Sequence, residues 1–167
     1  MESTGRRKHR MLTLVVVGLG LLTAVGVVVV VRFFLVYAGH DRLELLDSDL
    51  VSATSERGCA DLLTVLGTPA ATRQEQLVAG NDSIALLVED MRALGPDTLA
   101  ADLPAESWVE DWEDLAAARA DLAGRLDSDP SAELVMPQTD DGYPITKRMI
   151  WAAGAACEEA IELAATS

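Results

Sequence analysis

The stretch SWVEDWEDLAAARADLAGRL, residues 107–126, decides the fold class of this chain. Trp108, Trp112, Leu115, Leu122 and Leu126 recur at intervals of three, four or seven, the spacing that gathers side chains on one face of an α-helix. Ser107 and Glu110 fit a capping box at its start, in which hydroxyl and carboxylate each satisfy a backbone N–H that the first turn leaves unpaired. Arg119 falls on the same apolar stripe. A guanidinium there needs a carboxylate or several carbonyls, because an unpaired buried charge is strongly destabilising. Asp114 does not stand at helical neighbour spacing from it, so the partner is expected on another helix. The reading is a buried ion pair that fixes helix register; a ligand contact is the alternative.

Helical periodicity continues on both sides. Cys59, Leu62, Leu63 and Leu66 share one face, and Gly67 supplies a stop. Thr68 and Pro69 fit a helix start, where proline's missing N–H costs nothing. Leu77, Ile84, Val88 and Met91 form the next stripe, ending before Gly95 and Pro96. Gly80 and Asn81 lie on it, so either the helix continues past a buried amide or it restarts with Asn81 as cap. After Asp127 the pattern breaks at Pro130, Pro137 and Pro144. The turn tripeptide Asp140, Asp141, Gly142 suggests a small hairpin between residues 133–136 and 143–145. A last helix is expected over residues 145–165, its small residues 152–156 permitting close packing. Together the segments predict an all-α, four-helix-type bundle with a small irregular or hairpin segment.

Upstream lies a different solvent. Residues 11–31 carry no formal charge, and as a helix they span about 31 Å, matching a hydrocarbon core of about 30 Å. The valines at 27–31 favour strand in water, but lipid forces each backbone group to pair within its own segment, so a transmembrane helix is predicted. Arg6, Arg7, Lys8 and Arg10 precede the run, and Asp41, Glu44, Asp47 and Asp49 follow it. The positive-inside rule then places the N-terminus in the cytoplasm and the remainder outside, a single-pass plasma-membrane topology. Arg32, Phe33, Phe34 and Tyr37 suit the outer headgroup layer. A cleaved signal peptide is the rival, with Val36 and Ala38 as a small-residue cleavage pattern, but the apolar region is longer than such peptides use. Gly20 and Ala24 form a small-xxx-small step through which two spans could approach. The organisation read from this is a basic tail over 1–10, a span with its outer interface over 11–38, a juxtamembrane stalk over 39–53 with Leu43, Leu46 and Leu50 at helical spacing, and a helical domain over 54–167.

Residues 41–167 hold 8 Lys/Arg and 26 Asp/Glu, a net charge of −18. Such a surface offers no basic stripe for counterion release, which excludes nucleic acid as a partner. The outer part has His40 as its one histidine, and Cys59 and Cys157 as its two cysteines. Both cysteines lie on apolar helix faces in a compartment that permits oxidation, so a disulfide is expected; two separate buried thiols are the alternative. The acidic stretch from Asp127 fails as a calcium loop, since Ala132 stands at the glycine position and Gln138 at the bidentate glutamate position. Glu110, Asp111, Glu113 and Asp114 read as a solvated helix face. No Ser/His/Asp set, phosphate-cradling glycine loop or metal-spaced histidine group is present, so neither enzyme activity nor a metal or other cofactor is expected. Trp108 and Trp112, at i and i+4, read as core, with an aromatic ligand platform as the alternative.

Trp108 followed by Asp111 and Trp112, then Arg119, the Gly142, Pro144, Ile145 segment and Cys157, is similar to the pattern in a group of uncharacterised single-pass extracytoplasmic helical proteins of high-GC Gram-positive bacteria. The resemblance covers roughly residues 59–160 and implies location and a helical fold; it brings no activity. The function expected is a non-enzymatic interaction or accessory module in the cell envelope, tethered to the bilayer and contacting another envelope protein or a second copy of itself. A ligand-binding or sensory ectodomain built on Arg119, Trp108 and Trp112 is the alternative, and its tail before Met11 would need a partner to carry a signal. A hydrolase would require convergent carboxylates in a cleft.

Overall fold

The computed structural model of the protein describes residues 26–32 and 45–166. The basic tail, most of the apolar run, the interface residues Phe33, Phe34 and Tyr37, and stalk residues 39–44 lie outside the described residues. The chain divides into two compact units, Met1–Arg42 and Leu43–Ser167. In the first, residues 26–32 are helical. Among the described residues, no helix is long and apolar enough to cross a membrane.

The second unit is a helical bundle. Its elements are α1 (Asp49–Leu66), α2 (Arg73–Ala93), α3 (Pro96–Ala101), α4 (Ala105–Leu126), α5 (Ile145–Ala153) and α6 (Ala155–Thr166). Helix α1 packs on α2 and α6, α2 on α4, and α4 on α5. Leu62, Ile84, Met91, Trp108, Trp112 and Met149 belong to the main buried cluster; Leu77, Leu122, Ala123 and Ala132 form a smaller one. Cys59 on α1 and Cys157 on α6 stand at disulfide distance, Cα to Cα 5.3 Å, both fully buried.

Several boundaries differ from the sequence reading. Helix α2 does not start at Thr68 and Pro69. Its cap is Thr72, in extended conformation, whose hydroxyl accepts the Glu75 N–H at 3.1 Å; Thr72 and Glu75 have the Ser/Thr-x-x-Glu spacing. Thr68 instead belongs to the end of α1, donating from its hydroxyl to the Thr64 carbonyl at 2.8 Å. Gln76 fixes the loop, donating to the Leu66 carbonyl and accepting the Ala70 N–H, each at 3.1 Å.

The capping box at Ser107 does not form. Helix α4 starts at Ala105, because the chain already turns where the Ala105 N–H meets the Asp102 carbonyl at 2.9 Å. Ser107 therefore sits inside the first turn and donates back to the Pro104 carbonyl at 3.1 Å.

The last helix is broken at Gly154, with φ 63° and ψ −158°, a conformation that costs glycine little. Near a helix end the carbonyls lose their partners, and Ala152 gives its carbonyl to the Leu46 N–H at 2.8 Å. The sheet-like element shrinks to a single bridge between Gln138 and Pro144 around the turn closed by Gly142, φ 77°. Residues 133–136 do not pair across it. The tight turn sets the register to the residues beside it, while Arg73 and Arg125 hold the Ala132 and Glu133 carbonyls at 2.9 and 3.0 Å.

At the start of the bundle Leu46 is buried, but Leu50 is 55 % exposed and Val51 takes the inward position, because residues 45–47 are not helical and the helical spacing from Leu46 does not carry into α1. Helix α1 runs unbroken through Ala53. Its N-terminus is met by the carboxylate of Asp102, which accepts the Ser48 N–H at 3.0 Å, a favourable placement of negative charge at the positive end of the helix dipole.

Candidate functional site

Arg119 has no solvent exposure. Its Nε donates to Asn81 Oδ1 at 2.9 Å, and its Nη1 donates to the Ala164 carbonyl. Asn81 Nδ2 in turn donates to the Ala116 carbonyl at 3.0 Å. One polar cluster thus links α2, α4 and α6, with partners on other helices as the spacing around Arg119 requires. Helix α2 continues through Asn81, which settles the choice left open by the sequence: the amide is an interior contact, not a cap. The space for the guanidinium comes from Gly80, where an added Cβ would collide with Arg119 and come within 2.9 Å of Leu66 Cδ2. Burial lowers the Arg119 pKa to about 10, which leaves it protonated at neutral pH.

The tryptophans are core. Trp108 and Trp112 are 1 % and 0 % exposed and meet edge to face, with ring centroids 5.8 Å apart at 84°. Trp108 Nε1 donates to the Met149 carbonyl at 3.1 Å, which ties α4 to α5. Trp112 Nε1 has no hydrogen-bond partner among the described residues. Neither ring presents a face to solvent on which a ligand could stack.

Asp111 corrects the sequence reading. It is buried, 1 % exposed, and takes both bonds of a two-pronged contact from Arg148, Nε at 2.9 Å and Nη2 at 2.6 Å. That contact raises the Arg148 pKa, chiefly through the hydrogen bonds to Asp111. A signal was present: Asp111 lies three residues after Trp108 and four before Leu115, on the buried side of the stripe. Glu113 is exposed but also paired, receiving Arg92 Nη2 at 2.8 Å.

Beside that pair, a groove of about 620 Å³ runs between α2 and α4. Ile84, Ala85, Val88 and Ala116 give it an apolar floor, with Arg92 and Glu113 also in its lining. Among the described residues no group of three or more His, Cys, Asp or Glu side chains could hold a metal ion. What fold and site define together is an all-α bundle cross-linked by charged and amide side chains. Compared with known protein families, curated proteins and solved structures, the chain matches none.

Proposed function

We propose that this is a single-pass membrane protein, N-terminus in the cytoplasm, whose outer helical domain is a non-enzymatic interaction module that contacts another envelope protein or a second copy of itself. The anchor rests on the charge-free run 11–31 and the basic residues Arg6, Arg7, Lys8 and Arg10 before it. The interaction reading rests on one observation about the polar side chains. The buried Arg119 and Asp111 and the half-buried Asn81 each hold one helix to another, and the buried Asp102 meets the N-terminus of α1. Ala116, which accepts from Asn81, also lines the apolar groove between α2 and α4, which suits a protein side chain or helix better than a reacting polar substrate. The ligand-binding alternative would have to open the core to reach Arg119, Trp108 and Trp112.

Crosslinking in intact cells followed by mass spectrometry tests the reading. Crosslinks from α2 or α4 surface residues to a reproducible envelope partner or a second copy are expected; recovery of an uncrosslinked monomer only would count against it. Protease added to spheroplasts tests the topology. Digestion of the C-terminal domain is expected, and its protection beside digested control proteins would refute the orientation.

A further inference from the structure

Four large apolar side chains stand exposed around the point where the chain enters the bundle. Leu45 is 44 % exposed, Leu50 55 %, Leu103 74 % and Trp151 69 %. Two hydrogen bonds bring them to one end of the domain. The Leu46 N–H to the Ala152 carbonyl, 2.8 Å, holds the backbone beside Leu45 against the end of α5 that carries Trp151. The Ser48 N–H to Asp102 Oδ2, 3.0 Å, holds the segment that carries Leu103 at the N-terminus of α1, whose first turn carries Leu50. Single exposed apolar residues are ordinary, but a cluster gathered at one end marks a surface that meets something apolar.

We propose that this end of the domain rests on the outer surface of the bilayer, with Trp151 in the headgroup layer and Leu45, Leu50 and Leu103 beside it. The proposal rests on the membrane-anchored reading above. Chain length favours lipid over other occupants. Only residues 33–44 separate the described helical stretch 26–32 from Leu45, and twelve residues reach at most about 40 Å in any conformation. The tether joins the domain at this end, so on the membrane-anchored reading this end is within its reach of the bilayer. A tether so short gives a local concentration on the order of millimolar, so a weak intrinsic attraction suffices. Tryptophan prefers the membrane interface, where its ring is apolar and its N–H remains wet. Asp47 and Asp49, exposed in the same segment, set the lipid preference: the contact is apolar, and anionic headgroups oppose it.

The test uses the full chain reconstituted in phosphatidylcholine vesicles, with or without bromine near the headgroup end of the acyl chains. Trp151 emission is read as the difference between wild type and Trp151→Ser, since Trp108 and Trp112 are buried. A blue-shifted Trp151 that loses most of its emission to brominated lipid is expected. Quenching should weaken in Leu50→Ser/Leu103→Ser at unchanged helicity, and as phosphatidylglycerol replaces phosphatidylcholine at low salt. Unquenched Trp151 in protein that resists alkaline carbonate extraction overturns the docking and leaves the anchor standing. A blue shift without quenching points to a second copy or another protein on this end, and overturns it equally. Release by carbonate overturns the anchor and the docking together.

Discussion

Arg119 on α4 donates its Nε–H to the side-chain oxygen of Asn81 on α2 at 2.9 Å, inside a core where the arginine has no exposure to water. A cation there is tolerated only while its donors are met, so the amide is part of the arginine's solvation. Asn81→Leu is expected to destabilise the domain by about 1–3 kcal/mol, the cost of leaving a buried charged donor short of one neutral acceptor. The double variant Asn81→Leu/Arg119→Met should recover a large part of that loss, because it removes the charge as well as its acceptor. Urea titrations of the four proteins in a double-mutant cycle measure the coupling; additive losses would show that the contact carries no energy.

The same burial predicts a pH dependence. Burial holds the Arg119 pKa at about 10 in the folded protein, below that of an ordinary solvated guanidinium in the unfolded chain. Between those values the unfolded chain binds more protons, so stability rises with pH there, and the penalty for burying the charge is fully present below pH 10. Subtracting the profile of Arg119→Met isolates this residue. The stability difference should be flat from pH 7 to 9 and move in favour of the wild type above pH 10.

Glycines in two helices should respond oppositely to the same substitution. Ala is better than Gly in a helix interior by about 1 kcal/mol where there is room. Gly124 has no atom within 4 Å of an added Cβ, so Gly124→Ala should stabilise by about that amount. At Gly80 the new methyl falls on the Arg119 guanidinium and Leu66, and the overpacking, about 1–3 kcal/mol, should outweigh the propensity gain. Thermal melts followed by circular dichroism distinguish the signs.

Much of this was legible in the apolar periodicity. The stripe through Trp108, Trp112, Leu115 and Leu122 reports burial directly, because a core-facing helix must repeat its side chains at that spacing. The need of Arg119 for acceptors on another helix followed from the cost of burying charge. Boundaries were less legible, since Thr68, Thr72 and Ser107 are all competent caps and local sequence does not say which hydroxyl the loop will use. Thr72 prevails where Gln76 fastens the loop to the end of α1. Asp111 was misread because four acids in five positions look like a solvated face. Its partner Arg148 is 37 residues away, and only tertiary packing brings the two together.

Removing Arg148 should therefore harm stability out of proportion to its exposure. Its side chain is 46 % exposed, which reduces its own contribution, but Asp111 is 1 % exposed and would be left with a buried carboxylate. After discounting for screening on the arginine side, Arg148→Ala is expected to cost about 1–3 kcal/mol. Asp111→Asn/Arg148→Ala should cost less than the single change, because a neutral amide tolerates the site better. Equal losses would mean that the pair contributes nothing beyond the packing of the arginine stem.

Cys59 and Cys157 are 98 residues apart in sequence and join the first and last helices of the bundle. For a loop near 100 residues, restricting the unfolded chain is worth about 4–5 kcal/mol at 25 °C, an upper figure. Reduction is a cleaner test than substitution, because the thiols remain in place and core packing is hardly altered, so any loss reports the cross-link itself. Protein purified without reductant and unfolded in urea should show no titratable thiol. Adding reductant should then lower the melting temperature by on the order of 10 °C for a domain of this size. Alanine at both cysteines should reproduce that drop and abolish the sensitivity to reductant. Two free thiols in the unreduced protein, with a melting temperature indifferent to reductant, would instead assign both sulfurs to packing alone.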